Sequence, residues 1–291
     1  MIALLSVELE KILRRRLNQV VLAIFLSLLV LVYVLLWLAS DVVSEVGAGD
    51  PATIARIRAS LYLQETVPFA MLMLYTFGFA AGVVVVGANV GSEYGWNTIR
   101  TLTAAEPRRW RVLLAKYVAL AGIIVAALLL GLAVTLVTSA LITLSAGEFD
   151  LGFVDGPYLR DSAYAFLRLL VGTSPYLGLA ALLGVYGRSA TAGIALALGV
   201  AFLEGIVGGL MSLAGGWVAD IPKYMLDTNG DTLAIAGGGA FGELFGGDSP
   251  LAQAIERPSV RHAVTVLLCW ATAFVATSFW VLRKQDLGYE G

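Results

Sequence analysis

From Tyr117 to Gly147 the sequence carries no charged residue, a stretch longer than the ~20 apolar residues a helix needs to cross hydrocarbon at ~1.5 Å per residue. Such a run leaves few choices. In lipid every backbone N–H and C=O must be bonded within the segment, so the run has to be a helix, and the helix needs others of its kind to pack against. Length and apolarity predict spans at 20–39, 67–90, 112–144, 167–186, 189–213 and 263–282. The fifth is the least regular, because it contains Glu204. Over its 291 residues the chain is 59% apolar and 14% charged, with a mean hydropathy of +0.85, outside the balance of a soluble globular domain. The expectation is an all-α, polytopic integral membrane protein built as a single transmembrane domain over 1–291. The run from Val20 to Ala39 is too long for the apolar core of a signal peptide and is expected to stay in the mature protein.

Two segments outside the spans have a definite character. Ile2, Leu5, Leu9, Ile12 and Leu13 recur at helical spacing, with Glu8, Glu10, Lys11 and Arg14 to Arg16 placed elsewhere around the helix, which predicts an amphipathic elbow helix over 1–18 at a membrane surface. Residues 91–111, between spans two and three, are polar and basic. Arg100, Arg108, Arg109 and Arg111, with Lys116 just beyond, face only Glu93 and Glu106, so the segment cannot lie in hydrocarbon. It is too short to fold alone, and reads as a contact surface for something outside the chain.

Lys and Arg near the segment ends concentrate on the side that holds the N-terminus, this loop and Arg283-Lys284, which by the positive-inside rule makes both termini cytoplasmic. The glycine-rich, net acidic segment 215–261 falls on the opposite side and predicts short helices and loops. Within the spans, small residues at four-residue spacing (Gly78 and Gly82, Gly87 and Gly91, Gly131 to Thr143, Ala201 to Gly209) predict close helix packing.

Much chemistry is absent. There is no Gly-x-x-x-x-Gly-Lys-Ser/Thr loop for a nucleotide, and His262 and Cys269 are each the sole residue of their type, so no Cys/His metal set exists. Asp227, Asn229 and Asp231 begin like a calcium loop, but Thr232 stands where its glycine belongs and Gly238 where its bidentate glutamate belongs. A net charge of −2 and a pI near 5.5 argue against a nucleic-acid partner. An enzyme is the least supported class.

Arg168 and Glu204 are two ionisable residues in or near predicted spans, where leaving a charge in lipid costs ~2.5–3.5 kcal/mol or more. Counting from the turn at Arg188, antiparallel helices bring the two within about 6 Å in depth, close enough to pair. The alternative has Arg168 reaching the headgroups and Glu204 facing polar protein or the outer opening. Thr135 and Ser139 are the main polar groups of the third span.

Glu93, Asn97-Thr98, Leu102, Pro107, Arg109 and Lys116 follow in that order between spans two and three. Glu8-Leu9-x-Lys11-x-x-Arg14-Arg15 stands at the start, and Arg283-Lys284-x-Asp286 at the end. In this order they resemble the permease subunits of type-2 ATP-binding-cassette exporters along the whole chain. The resemblance implies a non-catalytic permease in the cell's inner membrane whose 91–111 loop is a coupling helix docked on a separate ATP-binding subunit. Glu93, Tyr94, Thr98, Arg100, Leu102, Pro107, Arg109 and Lys116 would form that coupling region. Two permeases and two ATP-binding subunits would assemble in contact with membrane lipid, the latter pair binding ATP and Mg. The outer segment is longer than that family's minimal connection. A stand-alone secondary transporter or channel, or a membrane scaffold, are the competing classes.

Overall fold

A computed structural model describes residues 2–46, 50–95, 109–236 and 257–285. The structure is all-α. Helix α1 runs Ile2–Arg14 and α2 Arg16–Val46. Between them the chain breaks at Arg15, and the Asn18 side-chain amide donates to the Ile12 carbonyl at 2.7 Å, satisfying one of the acceptors that the end of α1 leaves open. Helix α3, Pro51–Leu61, starts where Asp50 accepts the Ala52 and Thr53 amides and Pro51 presets the first-turn torsion. Helices α4 (Thr66–Gly95) and α5 (Arg109–Ser145) flank the 96–108 segment. Then come α6 (Gly156–Tyr186, capped by Asp155) and α7 (Ala190–Ala214). A 3-10 turn at Gly216–Tyr224, α8 (Leu226–Ile235) and α9 (Val260–Lys284) complete the order.

Six of these, α2, α4, α5, α6, α7 and α9, are long and apolar enough to cross a membrane. The fourth begins at Gly156, well before Leu167. Arg160, Asp161 and Arg168 depress its hydropathy without interrupting the helix. Their burial separates two roles: 56% of the apolar window of α4 and 61% of that of α6 is buried, against 11–28% for the other four. Helix α4 is thus the hub, with α2 and α5 on one flank and α6 and α7 on the other, while α6 also packs on α9. The outer helices turn large apolar side chains away from the bundle, Phe202, Leu203, Leu210 and Leu213 of α7 among them, as a hydrocarbon surround requires.

Small residues set the closest approach. A Cβ at Gly91 would lie 2.3 Å from the backbone carbon of Ser189, and one at Gly87 would lie 2.9 Å from that of Gly193, so α4 meets the start of α7 backbone to backbone. The same spacing elsewhere admits side chains: Leu128 fills the space at Gly78 and Leu177 that at Gly82. Gly209, by contrast, faces open space.

Candidate functional site

The site lies at the end of the bundle that carries α1, where the chain leaves α4 for the 96–108 segment and returns in α5. Glu93 is in the last turn of α4 and Lys116 two turns into α5. Glu8 and Lys11 come from α1. The four close a ring: Lys11 Nζ donates to Glu8 Oε1 at 2.6 Å and to Glu93 Oε1 at 2.7 Å. Lys116 Nζ donates to Glu8 Oε2 and to Glu93 Oε1, both at 2.7 Å. The Glu8, Glu93 and Lys116 side chains are 4–5% exposed, whereas Lys11, at 43%, covers the ring from outside.

Burying four charges is costly unless each finds opposite charge at bonding distance, and here two acids and two bases do so. Burial disfavours the Glu8 carboxylate, but Lys116 and Lys11 outweigh it and hold this acid below its ordinary range. Burial also opposes the charge on Lys11, and its hydrogen bonds to Glu8 and Glu93 reverse the balance and raise its pKa.

A second tier fastens the elbow to α4. Arg15 Nη1 donates to the Ala88 carbonyl and Ser92 Oγ, both at 3.0 Å, and to Asn89 Oδ1 at 3.3 Å. Asn89 Nδ2 donates to Asn18 Oδ1 at 3.0 Å and to the Val85 carbonyl at 2.7 Å, and both asparagines are buried. Both roots of the 96–108 segment are therefore locked to one surface helix by charge, and α1 and α2 to α4 by a guanidinium and an amide pair.

Of the residues singled out in the sequence, Glu93 and Lys116 meet in the ring. Tyr94 is half-buried beside the core, its hydroxyl without a hydrogen-bond partner among the described residues. Arg109 opens α5, and Thr98, Arg100, Leu102 and Pro107 lie outside the described residues. Arg168 and Glu204 form no ion pair. Glu204 Oε1 instead accepts the Leu226 amide at the start of α8, where a helix N-terminus offers free N–H groups and a positive dipole end. Thr135 bonds the Leu132 carbonyl of its own helix at 2.8 Å, and Ser139 reaches the Leu61 carbonyl of α3 at 2.6 Å. Asp227, Asn229 and Asp231 fall within little more than one turn of α8, so the calcium-loop spelling is helix. His262 joins its ring nitrogen to the Lys223 carbonyl at 2.9 Å, tying α9 to the 3-10 turn.

The sequence reading missed Glu8, which it placed among the polar residues of α1. The signal was present: Glu8 stands three residues after Leu5 and four before Ile12, inside the apolar stripe. Asn18 and Asn89, each set against apolar sequence, were equally visible and were not weighed.

Six apolar helices, one of them the buried hub, with a charged fastening at one end, define a polytopic α-helical membrane protein. Residues 55–288 match the family described as "Protein of unknown function (DUF2705)", and the chain belongs to that family. No curated protein matches it.

Proposed function

We propose that this chain is the permease subunit of an ATP-driven exporter, receiving its motion from a separate ATP-binding subunit through the 91–111 segment. The observation that carries the reading is the charge ring. A push on a short segment reaches the spans only if its roots are stiffly joined to structure that has two arrangements, each favoured by one state of the motor. Glu93 and Lys116 are those roots, and Glu8 and Lys11 make the surface helix move with them. In this reading the end with α1 is cytoplasmic, ATP and Mg sit in two partner subunits, and a second permease copy completes the path. The type-2 exporter resemblance of the Glu93 to Lys116 pattern supports the same assignment.

The test uses one cysteine. With the exposed Cys269 changed to serine, Thr98→Cys is treated in intact cells and in inverted vesicles with an impermeant maleimide. Labelling in inverted vesicles alone, with an ATPase subunit co-purifying whose hydrolysis falls in Glu93→Gln, is the expected result. Labelling of position 98 from the cell exterior refutes the proposal, as does a stable purified chain that neither binds nor stimulates an ATPase.

A further inference from the structure

At the end of the bundle opposite the ring, the first turns of α4 and α9, the first four turns of α6 and the end of α8 border a crevice of about 740 Å³. That is the size of a small-molecule site. Its walls are mostly apolar, with Val67 and Met71 of α4, Leu233 of α8 and Val264 of α9. Arg168 of α6 enters it about 18 Å along the helix from Gly156. Arg168 is half-buried, and among the described residues its buried Nε has no hydrogen-bond partner and no carboxylate lies at ion-pair distance from the side chain. The other charge among the described residues of the wall, Asp161, is held by Arg160 at 3.2 Å.

A guanidinium in an apolar recess demands an anion, because its donors otherwise stay unmet in a medium of low dielectric. The surroundings say where the anion comes from. Tyr164 and Leu167, on the crevice wall beside Arg168, are 58% and 54% exposed on a membrane-spanning helix, and Tyr164, one turn before Arg168, marks the level where aromatic rings meet headgroups. A soluble anion would have to enter hydrocarbon, whereas a lipid brings its own tail. We propose that this crevice holds one anionic phospholipid of the adjacent leaflet, its phosphate on Arg168 and an acyl chain along Val67, Met71, Leu233 and Val264. The site does not depend on the exporter reading, since its argument uses neither the ring nor the 96–108 segment.

The experiment takes the full chain in nanodiscs of phosphatidylcholine with a minority of phosphatidylglycerol, extracts it gently, and counts retained lipids by native mass spectrometry. The wild type keeps one phosphatidylglycerol per chain in preference to phosphatidylcholine by about tenfold, the scale of one charge-assisted contact. Arg168→Gln abolishes the preference, Arg168→Lys restores part of it, and Arg160→Gln, whose side chain does not line the crevice, keeps it. Val264→Trp, which fills the apolar wall and leaves Arg168 intact, loses the bound lipid while the helical circular-dichroism signal is kept. Equal retention of both lipids by the wild type overturns the proposal, as does undiminished preference in Arg168→Gln or Val264→Trp. Displacement of the lipid by soluble glycerol phosphate identifies a free-phosphate site and overturns the lipid assignment.

Discussion

Replacing Lys116 by methionine removes the one ammonium that the ring buries completely. In the native ring this group bonds Glu8 Oε2 and Glu93 Oε1, each at 2.7 Å, so those two oxygens lie no more than about 5.4 Å apart. Without Lys116 two buried carboxylates face each other at that range, and the half-exposed Lys11 is the ammonium the ring retains. At an effective dielectric of about 20, charges about 5 Å apart repel by about 3 kcal/mol, in line with the 3–5 kcal/mol typical of breaking one side of a buried pair. Lys116→Met should therefore cost about 3–5 kcal/mol. Glu8→Gln/Lys116→Met removes one acid as well as the base and should recover at least about 2 kcal/mol of that loss, since residues in direct contact are not additive. The assay is reversible SDS titration of the purified chain, following helical circular dichroism. A cost below about 1 kcal/mol for Lys116→Met, or a double mutant whose loss equals the sum of the two singles, would refute the claim that these charges are bound as one unit.

Other consequences follow from the same coordinates. Because the pKa of Glu8 is depressed below 4.5, its contribution is present above that value and is lost as pH falls through the folded-state pKa. Lys11, raised above 10.5, contributes below that value and loses its contribution as pH rises through its folded-state pKa, so the ring's share of SDS resistance, read as the difference between wild type and Glu8→Gln, should be constant between the two limits and shrink on the acid side. Gly91→Ala sets a methyl 2.3 Å from the Ser189 backbone, which cannot rotate away, and should cost at least the 1–3 kcal/mol of ordinary overpacking in the same titration. Ser139→Ala strands the buried Leu61 carbonyl and should cost about 1–3 kcal/mol, whereas Thr76→Ala, exposed and bonded only to its own helix, should cost almost nothing.

What could be read from the sequence depended on how local its cause was. The six spans were legible because hydrocarbon imposes a length and an apolarity that can be counted along the chain. The Gly87 and Gly91 crossing was legible too, since four-residue spacing stacks two glycines on one helix face. Glu93 and Lys116 could be named but not joined. Their meeting depends on α4 and α5 returning side by side, with α1 supplying a carboxylate from far along the chain. Arg168 and Glu204 show the same limit: a depth calculation left open both their pairing and Glu204 facing polar protein, and the structure has the Leu226 amide on the acid. Depth along a helix is a local quantity, whereas the azimuth at which a side chain leaves it is decided by neighbours no periodicity names.

Helix α4 connects these observations. It carries Glu93 at one end, lines the Arg168 crevice with Val67 and Met71 at the other, and is one of the two mostly buried spans. A helix of 30 residues is about 45 Å long, so its ends can be coupled by tilting alone. The tilt has a natural fulcrum. At Gly87 and Gly91 the backbone of α4 rests directly on that of residues 189–193, where nothing compressible lies between them, while at Gly78 and Gly82 flexible leucine side chains fill the space and can yield. A fulcrum near the ring gives the far end the longer arm, so a small displacement of Glu93 by a docked motor moves Val67 and Met71 farther. All of this motion belongs to the proposed reading, in which a docked motor would displace Glu93, the charges at one end would transmit force and the crevice at the other would change shape. Nucleotide state and anionic-lipid retention should therefore be linked through α4, each altering the other's equilibrium by the same factor.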